Sequence, residues 1–397
     1  MGSPFSNSYD DSGDWRLAAA GAVIAIQAFH LLWTLLPPMA GTTQHLVANV
    51  VTDSSVVVAL VLVAAVAMRY RGSRLGVAWS LVALGLAFNL FAEVSWSVQD
   101  MAIGGEDVPF PSIADVGYVG AYGPTLLGLL LMPQAAVSAV SRIKLGLYAL
   151  IVTIALALLS WFLIVENILS RSGESSLAQA FAAFYPYADI AIVIAAFVLV
   201  TRASPGRFAL AFSLLGAGFF TTALSDSGYA YLTEAGYESG TYVDIGWVAG
   251  YSLLSLAALA ALHPSASFEP NARRGEETPG FWRSLVPYGA VVPVAALLVV
   301  EADGGGAGMV LVLGFLGLLS LIILRQVLAN FENIQLNESL RDLTANLEVR
   351  VREKSMQLLR QQGRECDEAD GGVEAHTGFD GMRDWPDEMP TRPTSTS

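Results

Sequence analysis

The sequence has little charge, little base and almost no cysteine. Only 14% of its 397 residues are charged and 54% are hydrophobic, whereas an ordinary soluble domain carries roughly 25% charged residues. With a mean hydropathy of +0.53, much of this chain must face something other than water or its own core. A disordered chain is excluded, since that needs low hydrophobicity. Cys366 is the single cysteine, which excludes a disulfide framework. Lys and Arg number 21 against 35 acids, a net charge of −14, which excludes the basic surface that a nucleic-acid partner requires. His30, His45, His263 and His376 stand singly, without the spacing of zinc or nonheme-iron ligands. No phosphate loop, kinase signature or catalytic constellation occurs, so neither an enzyme nor a cofactor is expected.

What the sequence does contain is a succession of apolar runs of about 20 residues, the length that crosses a bilayer as a helix. Ten are read: Leu17 to Leu36, Leu46 to Met68, Leu75 to Gln99, Ala114 to Gln134, Leu145 to Val165, Leu177 to Val200, Phe208 to Leu232, Tyr242 to Leu262, Trp282 to Val300 and Ala307 to Leu328. Arg16 precedes the first. Arg69, Arg71 and Arg74 follow the second, Arg142 and Lys144 the fourth, Arg202 and Arg207 the sixth, and Arg273, Arg274 and Arg283 the eighth, while Arg325 ends the tenth. The opposite loops hold one base, Arg171. Because basic loops stay inside, both termini are expected in the cytoplasm of a bacterial inner membrane. The leader carries Asp10, Asp11 and Asp14 where a signal peptide would be basic, so the first span is expected to be retained.

Self-comparison points to a duplication. Arg74-Leu-Gly-Val-Ala-Trp-Ser-Leu, leading to Glu93-Val-Ser-Trp96, aligns without gaps on Arg207-Phe-Ala-Leu-Ala-Phe-Ser-Leu, leading to Asp226-Ser-Gly-Tyr229. Asp115-Val-Gly-Tyr-Val-Gly-Ala-Tyr122 matches Asp244-Ile-Gly-Trp-Val-Ala-Gly-Tyr251, and Asp53 falls opposite Asp189. Spans one to four (17–134) thus repeat as spans five to eight (142–262), pointing the same way, as in folds built of parallel repeats. The expected fold is an all-α polytopic helical bundle. Two additional spans (282–328) and a cytoplasmic coiled coil (329–362) follow. In the coil, Leu336, Leu340, Leu343, Leu347, Val351 and Leu358 recur three, four or seven residues apart. So long a helix needs a partner to bury its stripe, which favours a parallel homodimer over a lone solvated helix. Residues 363–397 have scarcely any aliphatic content and are expected to be a disordered tail, and 1–16 a cytoplasmic leader.

Six acids are placed in the outer third of the spans: Asp53, Asp115, Asp189 and Asp244 near helix starts, Glu93 and Asp226 near helix ends. Ionisable groups at membrane depth are costly and are read as functional by default. Asp115 and Asp244 have a competing role as N-caps, as to a lesser degree do Asp53 and Asp189. Glu93 and Asp226 sit where the helix dipole disfavours an anion, which makes them the leading ligand-binding candidates. Trp33, Trp96, Trp161, Tyr229 and Tyr242 read as an aromatic belt at the membrane surface. A small ligand or cation is the expected partner of the acids.

The stretch Asp226-Ser-Gly-Tyr229 through Gly240-Thr-Tyr-Val-Asp244-Ile-Gly-Trp247, ending His263-Pro264-Ser265, resembles the multi-pass sensor region at the N-terminus of bacterial diguanylate cyclases, cyclic-di-GMP phosphodiesterases and sensor histidine kinases. Arg325-Gln326, Glu332-Asn333 and Leu347-Glu348-Val-Arg350-Val351-Arg-Glu353-Lys354 resemble the signalling helix joining such regions to their outputs. The resemblance implies a membrane sensor in two-component or cyclic-di-GMP signalling. No output domain follows the helix, so cyclase or kinase chemistry is carried to no residue; truncation after about Gln362, or a separate output partner, is the expectation. The competing class is a small secondary transporter, for which Gly117, Gly120, Gly123 and Pro124 would break the fourth span.

Overall fold

The structure, a computed structural model, describes residues 15–36, 42–103, 108–134, 139–170, 175–203, 207–232, 240–264, 281–300 and 305–370. No strand occurs among them. In order they form α1 (Trp15–Leu35), α2 (Thr42–Arg69), α3 (Arg74–Ile103), α4 (Ile113–Leu131), α5 (Ala139–Ser160), a π-helical turn (Trp161–Val165), α6 (Glu166–Ser170), α7 (Ser176–Thr201), α8 (Arg207–Leu232), α9 (Asp244–Ala261), α10 (Phe281–Val300) and α11 (Gly305–Asp370). Without water in a hydrocarbon core every backbone polar group must be satisfied within its own segment, which is why apolar runs of this length are helices. Nine helices among the described residues are long and apolar enough to cross a membrane, and α10 adds a further apolar helix. The chain is a multi-pass membrane protein. The fifth span of the sequence falls across α5 and the π turn, and α6 continues it to Ser170.

Polar side chains fix where helices begin. Ahead of α4, Ser112 Oγ accepts from the Ala114 amide at 3.1 Å and Asp115 Oδ2 accepts from the Ser112 amide at 2.6 Å, a closed capping box. Ser175 Oγ accepts from the Ala178 amide at 3.1 Å and starts α7. Bonds between helix ends then set their directions. Arg69 at the end of α2 donates to Leu262 O at the end of α9, while Gln44 near the start of α2 donates to Gly240 O, just ahead of α9, at 2.8 Å. The two helices are therefore parallel. Arg74 Nε donates to Leu131 O at 2.9 Å, so α3 starts where α4 ends. Arg69, Arg71, Arg74 and Arg202 gather at this end of the bundle, the basic end.

In Met1–Gln326, the first of two compact units, α3 packs on α2 and α4, α8 packs on α7 and α9, and the trios meet through α2 on α9 and α4 on α7. Their shared core includes Val63, Trp79, Val82, Leu129, Leu199, Phe212, Leu215 and Leu254. A second cluster joins Ile151 and Ala155 of α5, Val291 and Val294 of α10 and Leu311 and Leu318 of α11. Val61, Leu84, Leu130 and Leu224 are exposed on the outside of the bundle, as a lipid-facing surface requires. Since lipid is as apolar as leucine, close packing rather than hydrophobic burial holds such helices together. Glycine supplies it between α3 and α4: a Cβ on Gly117 would stand 2.8 Å from Ala92 Cβ, and one on Gly128 2.9 Å from Ala78 O. Gly117→Val is expected to part these helices and to cost about 1–3 kcal/mol, measurable as a lowered unfolding temperature of the detergent-solubilised chain.

The second unit is Val327–Ser397. Its described part is helical to Asp370, eight residues beyond the point where the sequence reading begins a disordered tail. The apolar character ends near Leu359, but the backbone holds its helical bonds further than composition suggests, as helix propagation costs little once a helix is under way. The remainder of that tail lies outside the described residues. Leu336, Leu340, Leu343, Leu347, Val351 and Leu358 are all exposed, from 46% to 64%.

Candidate functional site

Helix starts account for two of the six acids. Asp115 is 7% exposed; beyond its capping bond, its Oδ1 accepts from the Tyr185 hydroxyl of α7 at 2.6 Å. Asp244 is 4% exposed and Oδ2 accepts from the Gly240 amide at 2.5 Å. Asp115 therefore closes the capping box of α4 and ties α4 to α7, whereas Asp244, the first residue of α9, binds the link ahead of that helix through the Gly240 amide. Asp115→Ala is expected to cost about 1–3 kcal/mol, the loss of a cap plus a buried hydroxyl left unpaired; Asp115→Asn, which retains an acceptor, should restore most of it in the same unfolding measurement.

The other four lie further along their helices, Asp226 about 9 Å from the end of α8 at 1.5 Å per residue. Helices α2 and α3 are 28 and 30 residues long, longer than the apolar runs within them. At 1.5 Å per residue, Asp53 is about 16 Å from the start of α2 and Glu93 about 15 Å from the end of α3. Here the carboxylates meet aromatic donors. Tyr251 of α9 donates its hydroxyl to Glu93 Oε1 at 3.0 Å, and Tyr118 of α4 is a second hydrogen-bonding partner of Glu93. Tyr122 of α4 donates to Asp189 Oδ1 at 2.6 Å. Trp247 Nε1 donates to Asp226 Oδ1 at 2.7 Å, with the Tyr229 ring 5.9 Å from the indole. Ser97 hydrogen-bonds Asp53. Asp189 and Asp226 interact electrostatically, as do Glu93 and Asp53 and, more weakly, Glu93 and Asp226, so the structure brings these four together. Two carboxylate oxygens, Asp53 Oδ1 and Asp189 Oδ2, are buried without a hydrogen-bonding partner.

The donors just named are all neutral. Tyrosine, tryptophan and serine can each give one proton to a carboxylate but no charge. A group of four acids in an apolar bundle is left short of positive charge, and it can gain it by taking up protons or a small cation. Divalent metals ask for six or more oxygen ligands, and no three His, Cys, Asp or Glu residues among the described ones come close enough to hold a metal ion.

The sequence reading missed the donors. Their signal stands inside the matched blocks: Asp115, Tyr118 and Tyr122 are spaced three and four apart, as are Asp244, Trp247 and Tyr251, which puts an aromatic pair on one helical face below each aspartate. The reading also treats His45 as solitary. His45 Nδ1 lies 3.3 Å from Asp100 Oδ1, and Asn49 Nδ2 donates to Asp100 Oδ2 at 2.7 Å. Of the expected aromatic belt, Trp161 and Tyr242 are exposed, whereas Tyr229 belongs to the site. The chain matches no family model, no curated protein and no solved structure.

Proposed function

We propose that this protein is an integral membrane sensor whose acidic and aromatic site takes up positive charge, from protons, a small cation or an amine, and passes the change to the helix beyond Arg325. One observation carries the reading: the donors are exchanged between trios. Tyr251 of the α7–α9 trio holds Glu93 of the α2–α4 trio, and Tyr122 of the α2–α4 trio holds Asp189 of the α7–α9 trio. Neutralising a carboxylate weakens its bond to a tyrosine, since bonds to charged acceptors are about twice as strong as neutral ones. A charge taken up at this level therefore alters what binds the two trios to each other. That is the differential contact that a two-state device requires.

The duplication belongs to this proposal. Its support is that α2 on α9 and α4 on α7 are the same contact under exchange of the copies, as are α3 on α4 and α8 on α9. The arginines that gather at one end support an orientation with that end, and both termini, in the cytoplasm of a bacterial inner membrane. The exposed leucine stripe of 329–362 supports dimerisation through a coiled coil, and the likeness to sensor regions of cyclases and histidine kinases gives the output its class. Helix α4 runs unbroken through Pro124, and Gly117 and Gly128 are used in contact with α3; the discontinuous helix that would favour transport is not what these residues build.

The test is the full chain bearing a dimer-dependent reporter enzyme after Ser397, read in native membranes as external pH, alkali cations and amines are varied. Output should respond to at least one of them and the response should be lost in the double variant Glu93→Gln, Asp226→Asn. Indifference to all three would sink the sensor reading. Accumulation of a solute in proteoliposomes, abolished by the same double variant, would replace it with transport.

A further inference from the structure

Three helices outside the two trios, α5, α10 and α11, meet on one cation. Arg325 of α11 is 7% exposed and is the one lysine or arginine that is buried among the described residues. Its Nη1 donates to the Tyr288 hydroxyl of α10 at 2.9 Å and reaches Gln326 Oε1 at 3.5 Å, while its Nη2 donates to the Tyr148 hydroxyl of α5. The guanidinium also stands over both rings, 4.6 Å from the Tyr148 centroid and 5.5 Å from that of Tyr288. None of these partners carries a charge, and no carboxylate pairs with Arg325 among the described residues. The charged group that does interact with it is Lys144 of α5, a second cation. Lys144 and Tyr148 are four residues apart and share one face of α5. Buried charges are ordinarily paired; Arg325 is without an anion, and its charged neighbour deepens the deficit.

The donors left over indicate which anion fits. A guanidinium has five N–H groups; three are given to Tyr288, Gln326 and Tyr148, which leaves two. The Tyr288 hydroxyl spends its own proton on Gln326 Oε1 at 3.1 Å, but the Tyr148 hydroxyl, having accepted from Arg325, keeps one to give. A planar fork, a hydroxyl and an ammonium point charge together are the donor chemistry of a phosphate site. Place selects what carries the phosphate. Arg142, two residues before Lys144, interacts electrostatically with Arg202 just past the end of α7, so α5 starts at the basic end of the bundle. Tyr148 lies about 9 Å along α5 from Arg142 at 1.5 Å per residue, where the apolar run from Leu145 has begun. Ile143, Ile323 and Leu324, which adjoin Lys144 and Arg325 in the sequence, are exposed, as residues facing acyl chains are. Basic pockets between transmembrane helices at the cytoplasmic side suit anionic lipid headgroups.

We propose that Arg325, Lys144 and Tyr148 form a binding site for a phosphate group, that of an anionic phospholipid, between α5 and α11 at the basic end of the bundle. The phosphate oxygens accept the two remaining guanidinium protons and the Tyr148 hydroxyl proton, and the Lys144 ammonium lies against them. The acyl chains run along Ile143, Ile323 and Leu324. A lipid held in this way adds a charged link between α5 and α11 immediately before the exposed leucine stripe of 329–362. The site does not depend on the sensor reading, because none of the six acids takes part in it.

Native mass spectrometry of the detergent-solubilised full chain, titrated with dioleoylphosphatidylglycerol or with dioleoylphosphatidylcholine, tests it. The anionic lipid should bind roughly fivefold to tenfold more tightly than the zwitterionic one. Lys144→Gln and Tyr148→Phe leave Arg325 in place and should each remove most of that preference, while retaining the helical circular dichroism of the wild type. Arg71→Gln, an exposed base at the same end, should keep the preference, and affinity for the choline lipid should be the same in all four proteins. Equal affinities for the two lipids in the wild type would overturn the site. So would a preference that survives in both Lys144→Gln and Tyr148→Phe, or one lost equally in Arg71→Gln, which would mean attraction to the basic end as a whole. Displacement of the glycerol lipid by inorganic phosphate at the same concentration would overturn the lipid as the source of the phosphate.

Discussion

Tyr251→Phe removes one oxygen atom and is expected to weaken the membrane bundle by about 2 kcal/mol at alkaline pH, with little change in its helix content. The magnitude depends on what Glu93 carries. Hydrogen bonds between transmembrane helices average about 0.6 kcal/mol in double-mutant cycles, whereas bonds to charged acceptors reach about 1.5–3 kcal/mol. A cycle of Tyr251→Phe with Glu93→Gln, read by unfolding of the detergent-solubilised chain, therefore reports the charge state of the site. The coupling should be near 2 kcal/mol while Glu93 is a carboxylate and fall toward about 0.6 kcal/mol on acidification, because protonation leaves a neutral acceptor. The sign follows from the donor: a tyrosine hydroxyl favours the charged acceptor, so its contribution is present at high pH and lost at low pH. A coupling near zero throughout would mean that the 3.0 Å contact contributes nothing and that the exchange of donors between the trios is incidental.

The second large effect is in the helix beyond the membrane. Leu340→Asp together with Leu347→Asp should convert a dimer of the full chain into monomers, seen as a halved particle mass in detergent. Each leucine buried at a coiled-coil seam contributes about 1.5–3 kcal/mol, and two positions in two chains sum to at least about 6 kcal/mol, some four powers of ten in dissociation constant. Glu348→Gln and Arg350→Gln, off the stripe, should leave the mass unchanged. A monomeric wild-type chain at micromolar concentration would refute dimerisation through 329–362, and with it the route by which the site is proposed to reach an output.

The architecture was legible because hydropathy and length determine membrane helices nearly alone. Thr42–Arg69, Arg74–Ile103 and Phe281–Val300 fall where apolar runs ended by Arg, Pro or Gly place them. The acids at helix starts were legible too, since Asp115 and Asp244 stand in the first turns of helices that follow short polar links. Helix ends were not, because hydropathy finds the apolar centre of a helix and not its ends: α2 and α3 are 28 and 30 residues long, longer than their apolar runs. Partners were not legible either. Tyr122 and Asp189, or Asn49 and Asp100, are joined by packing between helices that no spacing within one helix specifies.

One link carries the proposed function, from the charge of the carboxylate site to the arrangement of the coil. The most direct measurement places a spin label at Glu348→Cys, in a Cys366→Ser background, on the full chain in liposomes and records the distance between the two labels of a dimer as the external pH is lowered. The distance distribution should shift between two positions across the titration, and stay at one of them in Glu93→Gln, Asp226→Asn. A distribution that does not move in the wild type, or that moves equally in the double variant, would contradict it.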